Sequence, residues 1–271
     1  MPKTILITGS SSGIGNATAK HFQAQGWNVI ATMRNAEDWT DLTPLDNVLV
    51  IRLDVTDPAS ITSAVGVTME RFGRIDVLLN NAGYGAYGPL ESFETDRIRR
   101  QFDTNVIGLL EVTKAVLPHM RAKKSGIIVN ISSIGGQMTF PLGSLYHGTK
   151  FAVEGLSEAL HFELEAIGVK MKIIEPGVIA TDFARRSLDF ANDPPIEEYQ
   201  SVVGKVITAF GSNAFIPSPP ELVAEVIWRA VTDDSDKLRY RVGSDAEILL
   251  SNRMAWGDET FIGQVRQQFR L

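Results

Sequence analysis

Tyr146 and Lys150 stand four positions apart in SLYHGTKFAVEG, a stretch that reads as helix. That spacing puts both side chains on one helical face, about a turn apart. A free phenol, with a pKa of about 10, is a poor base at neutral pH. An ammonium beside it favours the phenolate and brings proton transfer into the working range. Ser133 follows the apolar run Ile127–Ile131 and carries a hydroxyl that can donate to a substrate oxygen. Together these groups suit acid–base chemistry at a carbon–oxygen bond. A bare Tyr-x-x-x-Lys is also what an ordinary surface pair looks like. Its weight here comes from order: a glycine-rich turn, Asn-Asn-Ala-Gly at 80–83, Ser132-Ser133, then Tyr146 and Lys150.

The glycine-rich turn is Thr8-Gly9-Ser10-Ser11-Ser12-Gly13-Ile14-Gly15, between a strand pattern and a helix pattern. Glycines there let the backbone turn sharply and approach a pyrophosphate seated on the helix N-terminus. The spacing is G-x-x-x-G-x-G rather than G-x-G-x-x-G, and a plain turn would share the composition. At the tip of the second strand, where NAD-binding folds place an acid for the ribose hydroxyls, stand Met33 and Arg34. A guanidinium can pair with a 2′-phosphate, so NADP is expected ahead of NAD. Glu37 and Asp38 are close enough in sequence to serve the ribose instead.

The elements that must position these groups alternate from the start. Strands are expected at Thr4–Thr8, Val29–Thr32, Val48–Leu53, Ile75–Leu79, Ile127–Ile131, Lys170–Glu175 and Tyr240–Val242. Helices are expected at Gly13–Gly26, Pro58–Phe72, Thr95–Arg121, Ser144–Ile167, Leu222–Val231 and from Ala246 onward. Such alternation implies right-handed βαβ units: an α/β, Rossmann-type, doubly wound parallel sheet, one domain over residues 1–271. The segment 182–220 breaks the pattern, mixing Phe183, Phe190, Tyr199, Phe210 and Phe215 with proline clusters. It reads as a helical or loop substrate lid, as helices packed on the sheet edge, or as both.

The motifs together resemble the short-chain dehydrogenase/reductase family, in its shorter, single-domain branch. The likeness runs from Lys3 to about Thr181 through TGSSSGIG, Leu53-Asp54-Val55, Asn80–Gly83, Asn105-Val106-Ile107-Gly108, Ser132-Ser133, Tyr146–Lys150 and Pro176-Gly177 with Thr181. It implies that Tyr146 is the general acid in reduction and the base in oxidation, and that Lys150 holds the nicotinamide ribose. It further implies that Ser133 orients the carbonyl and that Asn105 fixes a water linking Lys150 to solvent. For the cofactor it implies Gly9, Ser11, Ser12, Gly13, Ile14 and Gly15 at the phosphates, Arg34 at the adenosine phosphate, and Asp54 and Val55 at the adenine. Asn81, Ala82 and Gly83 would flank the adenosine side, and Pro176, Gly177, Val178 and Thr181 the nicotinamide carboxamide. Members are usually dimers or tetramers built through the two long helices. A silent cofactor-sensing regulator on the same fold is the alternative, although it would be expected to lose Tyr146 or Lys150.

Composition narrows the rest. A net charge of −6 and a pI near 5.3 give no support to nucleic-acid binding. Arg97, Arg99 and Arg100 read as a solvated helix face. With no cysteine, disulfides, thiolate metal sites and cysteine nucleophiles are all ruled out. His21, His119, His147 and His161 lack metal-ligand spacing, so no metal is expected, and His147 reads as a packing or supporting residue. No apolar run approaches a membrane span, and the N-terminal apolar run is too short for a signal peptide, so a cytoplasmic protein is expected. Tyr84, Tyr87 and Phe140 read either as lining a substrate cleft or as packing. Glu175 and Asp182 show no carboxylate partner in the sequence. An apolar cleft for a hydrophobic ketone or secondary alcohol is the expected substrate side.

Overall fold

The computed structural model of the chain describes residues 2–36, 41–211 and 216–271, so Glu37, Asp38 and Phe215 lie outside the described residues. Seven parallel strands form one sheet: β1 (Thr4–Thr8), β2 (Asn28–Met33), β3 (Val48–Arg52), β4 (Val77–Asn80), β6 (Gly126–Ile131), β7 (Val169–Pro176) and β9 (Arg239–Val242). Their spatial order is β3-β2-β1-β4-β6-β7-β9. The order reverses between β1 and β4, the crevice where open α/β sheets bind ligands.

Side-chain alternation along each strand decides which helices cover which face. Ile5 and Ile7 of β1, with Val29 and Ala31 of β2, face α1 (Gly13–Ala24) and α8 (Pro220–Thr232) through Phe22, Val223 and Ile227. Leu6, Ile30, Leu78 and Ile128 face the other way. They meet α2 (Pro58–Phe72), α4 (Gly108–Lys123) and α5 (Ser144–Glu165) through Ile61, Val112, Val116 and Leu164. All of these side chains are buried, which is why the strands read as continuous apolar runs.

Three departures from the sequence reading bear on the site. The helix expected over Thr95–Arg121 is broken: α3 (Thr95–Phe102) gives way to a π-helical turn at Asp103–Ile107 before α4 begins. A second, two-stranded parallel ribbon pairs β5 (Gly85–Tyr87) with β8 (Leu188–Phe190). Within 182–220 the described chain forms α6 (Phe183–Arg186), β8 and α7 (Glu197–Gly211), so this segment is mostly regular structure. The tail divides into α9 (Ser244–Ala255) and α10 (Asp258–Phe269). Arg97 and Arg100 are not simply a solvated face. Both pair with Asp189 and so tie α3 to β8.

Candidate active site

Because the strands are parallel, the loops after β1, β4, β6 and β7 emerge on one edge. After β1, Gly9 has φ +72° and a Cβ there would lie 2.9 Å from Ala82 Cα. A Cβ on Gly15 would lie 2.4 Å from the Gly9 carbonyl oxygen, so only glycine fits the turn. Thr8 Oγ1 accepts the backbone N–H groups of Asn81 and Ala82, each at 3.0 Å. Asn81 Nδ2 donates to the carbonyls of Thr8 and Gly9 at 2.9 Å. The loop after β4 is thereby stitched beneath the glycine turn. Ser12 takes extended backbone at the N-terminus of α1 and makes no side-chain cap. The positive end of that helix therefore faces the crevice with its first N–H groups available.

This cradle fits a dinucleotide pyrophosphate. Arg34 is exposed just past the tip of β2. Asp54 Oδ1 accepts the Thr56 N–H at 3.0 Å and hydroxyl at 2.8 Å, closing the turn after β3. Val55 is buried against Gly108, where a Cβ would come within 2.8 Å of Val55 Cγ2. Gly83 sits against Asn105, and Gly13 against Thr181. Gly177 N–H donates to Val242 at 2.9 Å. The Val178 N–H donates to Asp245 Oδ2 at 2.7 Å, and its carbonyl accepts from Ser218 N–H at 2.9 Å. Asp245, unremarked in the sequence, is what fills the space that Gly177 leaves.

The loop after β6 and the face of α5 bring the three proposed reacting side chains together. Ser133 Oγ accepts the Gly135 N–H at 3.0 Å, and the Tyr146 phenol lies beside this loop. Tyr146 is only 9% exposed. Lys150 Nζ lies 5.8 Å from the Tyr146 ring centroid and donates to the Ile131 carbonyl at 2.8 Å. Burial raises the Tyr146 pKa, and the nearby Ser133 hydroxyl opposes that rise. Lys150 makes its hydrogen bond to Ile131 rather than to the phenol. Burial lowers the Lys150 pKa to about 8, against the opposing charge of Glu154.

Asn105 lies in the π turn, where one extra residue re-aims the chain. Its amide donates to Tyr84 O at 2.8 Å and to Thr149 Oγ1 at 3.1 Å, and its oxygen accepts the Tyr84 N–H at 3.1 Å. The side chain thus clasps the loop after β4 to the helix carrying Tyr146 and Lys150.

The same order of motifs appears in known proteins. The family model for short chain dehydrogenases matches residues 3–191. The chain belongs to the short-chain dehydrogenase family. An uncharacterised oxidoreductase of Schizosaccharomyces pombe is 46% identical over 239 residues, covering 88% of this chain and all of that one. A 3-ketodihydrosphingosine reductase of Bacteroides thetaiotaomicron is 34% identical over 94% of this chain and 93% of its own. Among solved structures, a short-chain dehydrogenase of Streptomyces avermitilis superposes with a TM-score of 0.83 at 35% identity, covering 98% of this chain and 95% of that one. ElxO with NADP bound gives 0.76 at 28% identity, covering 92% and 100%. This short-chain dehydrogenase is accordingly an oxidoreductase with the Rossmann-like sheet described above. The model match ends just past β8, leaving α7 to α10 outside it.

Two features of this short-chain dehydrogenase go beyond its motifs, and the first was not legible in its sequence. The first corrects the reading of Glu175 as lacking a carboxylate partner. Glu175 is 1% exposed and its pKa is pushed up to about 7, chiefly by burial and then by the Glu154 carboxylate. Arg239 Nε donates to Glu154 at 2.9 Å and lies 3.7 Å from Glu175, while Gln137 donates to Glu175. Only the Lys150–Glu154 spacing of four was visible beforehand.

The second feature is an aromatic surround. Tyr87 and Phe183 lie 5.4 and 5.7 Å from the Tyr146 ring, and Gly85 leaves the room that Phe183 occupies. Phe210 contacts Tyr87 and Phe140, and Phe269 contacts both Phe140 and Phe210. Tyr87 and Phe140 therefore belong to the surround of the site. Tyr84 instead packs beside Ala86, Phe93 and Leu145, with its hydroxyl accepting from Arg100. Among the described residues no cluster of metal-ligating side chains occurs, and no helix is long and apolar enough to cross a membrane.

Proposed function

We propose that this short-chain dehydrogenase moves a hydride between NADP(H) and a hydrophobic ketone or secondary alcohol. The observation that carries the reading is Tyr146: a buried phenol beside Ser133, one helical turn from a buried lysine whose ammonium lies 5.8 Å from its ring centroid. When bound, the nicotinamide supplies the hydride. Tyr146 protonates the developing alkoxide, and its raised pKa keeps the proton available for that step. Ser133 donates where the negative charge appears, and Asn105 holds the loop after β4 against α5. Lys150 is assigned to the nicotinamide ribose.

For the dinucleotide, Gly9, Ser11, Ser12, Gly13, Ile14 and Gly15 are assigned to the pyrophosphate. Arg34 is assigned to the 2′-phosphate, and Asp54 and Val55 to the adenine. Asn81, Ala82 and Gly83 take the adenosine side, and Pro176, Gly177, Val178 and Thr181 the nicotinamide end. The exposed guanidinium of Arg34, the absence of an acid at Met33 and the NADP held by a structural neighbour support NADP over NAD.

The hydrophobic substrate is supported by the aromatic surround and by a relative named 3-ketodihydrosphingosine reductase. The 182–220 segment is assigned as the lid, since it brings Phe183 and Phe210 to the site. A homodimer or homotetramer is supported by apolar side chains left outward on the long helices. Phe151 and Phe162 of α5 are 45% and 68% exposed, and Ile107 before α4 is 50% exposed.

The test follows NADPH and NADH oxidation against a panel of aliphatic, aromatic and long-chain ketones. Tyr146→Phe should abolish turnover while nucleotide binding persists, and Arg34→Ala should shift preference toward NADH. Nucleotide binding with no turnover of any carbonyl would favour the regulator reading.

A further inference from the structure

Lys150 is buried, yet its ammonium has no carboxylate within ion-pair distance among the described residues; its hydrogen bond goes to a neutral carbonyl. A buried cation needs a counter-charge nearby or it gives up its proton. One turn further along α5, Glu154 is 5% exposed. Its Oε2 accepts from Arg239, while its Oε1 is buried with no hydrogen-bond partner among the described residues. Gly136 lies where the two meet. A Cβ there would come within 2.8 Å of Glu154 Cγ, 3.0 Å of the Lys150 carbonyl and 2.5 Å of Ser132 Oγ, itself buried and unpartnered. A side chain at 136 would drive the Glu154 carboxylate off the back of the Lys150 turn.

The groups facing this region come from every element around it. On α5 they are Tyr146, His147, Glu154 and, at the surface, Glu158. The loop after β6 contributes Ser132, Ser133 and Gln137, and the π turn contributes Asn105 through Thr149. Glu175 comes from β7, and Arg239 and Arg241 from β9. Glu154 is the carboxylate whose charge acts on Lys150. Arg239, shared among Glu154, Glu158 and Glu175, is the nearest opposing cation.

We propose that Glu154 is the buried counter-charge of Lys150 and a positioning residue of the transfer site, with Arg239 holding its carboxylate in place. This rests on the assignment of Lys150 made above. Glu154 touches neither substrate nor cofactor. It acts by keeping the lysine an ammonium, the form that can hold a ribose hydroxyl and favour proton transfer at Tyr146.

The test reads Lys150 directly in cofactor-free protein. Lysines are labelled with carbon-13 and their ε-CH₂ signals are followed against pH, with Lys150→Met identifying the resonance. Glu154→Gln should move the Lys150 midpoint to lower pH, leaving severalfold less ammonium at neutral pH. Arg239→Gln should move it to higher pH, and Glu158→Gln should leave it in place. Opposite movements in two variants of one cluster are not what a general loss of packing produces. Glu154→Asp, which keeps the charge, should restore most of the midpoint. In carbonyl reduction, the alkaline limb of kcat should move with the titration. An unmoved Lys150 midpoint in folded Glu154→Gln overturns the proposal and leaves the function reading intact. A moved midpoint with an unmoved alkaline limb overturns the positioning role and the catalytic assignment of Lys150 together.

Discussion

His147 Nε2 accepts the backbone N–H of Phe140 at 3.0 Å, which leaves Nδ1 to donate to the Gly135 carbonyl at the same distance. The imidazole is thereby held neutral as the Nδ1–H tautomer, and burial keeps its pKa below the ordinary 6.5. It braces the loop that carries Ser133, while the adjacent Tyr146 ring packs by Tyr87 and Phe183.

Replacing His147 by Phe leaves the Phe140 N–H and the Gly135 carbonyl unpaired, for an expected loss of about 2–4 kcal/mol. Because Ser133 is tied to the Gly135 N–H, kcat should fall by about ten- to a hundredfold through misplacement alone. The lowered pKa also sets a pH dependence. The contribution of His147 is full above its unfolded value and is lost as pH falls through the lower folded value. Thermal denaturation across the acid range checks this, since the Phe variant should lack that component.

Glu175 works in the opposite sense. Its folded pKa, about 7, lies above the 4.5 of the free group. Stability on its account is therefore fully present below 4.5 and lost as pH rises through 7. The loss is on the order of 3 kcal/mol by about pH 8. Glu175→Gln keeps a polar partner for Gln137 and removes the ionisation, so its Tm relative to the parent should climb from about pH 5 to about pH 8. Parallel melting curves at the two pH values decide it.

Gly9→Ala tests the cradle. A left-handed backbone costs a non-glycine residue about 1–2 kcal/mol. The new methyl would also press on Ala82 Cα, 2.9 Å away, and separate the two loops stitched through Thr8 and Asn81. Nucleotide affinity should fall by about tenfold or more, about 1.4 kcal/mol, with a modest drop in Tm. Fluorescence titration with NADPH alongside a melting curve separates the two effects.

Asp189 joins β8 to α3 through Arg97 and Arg100, and the Arg97 hydrogen bond leads in holding its pKa below 3.8. Its stabilisation is present above that value and lost as pH falls through the lower folded one. Asp189→Asn should cost about 1 kcal/mol, since Arg100 is largely solvated. By loosening the ribbon beside Phe183 it should raise KM for the ketone more than it lowers kcat. Steady-state kinetics on a long-chain ketone shows which parameter moves.

The seven strands and the helices between them were legible because each strand is buried on both faces. Residues such as Ile5, Leu6 and Ile7 must then all be apolar, while the helices between the strands keep a helical period. The glycine turn after β1 and the four-residue spacing of Tyr146 and Lys150 are local in the chain, so the sequence by itself determined the turn and the shared helical face of that pair. Only the tertiary structure decided the rest. Glu154, Glu175 and Arg239 are far apart in sequence and meet because β7 and β9 pair beside α5. The π turn at Asn105 interrupts a run whose periodicity is helical throughout, and contacts from Tyr84 and Thr149 hold the extra residue in place. Periodicity records which face of an element is buried. It carries no record of which distant charge shares that burial, and here Arg239 reaches Glu154 from β9.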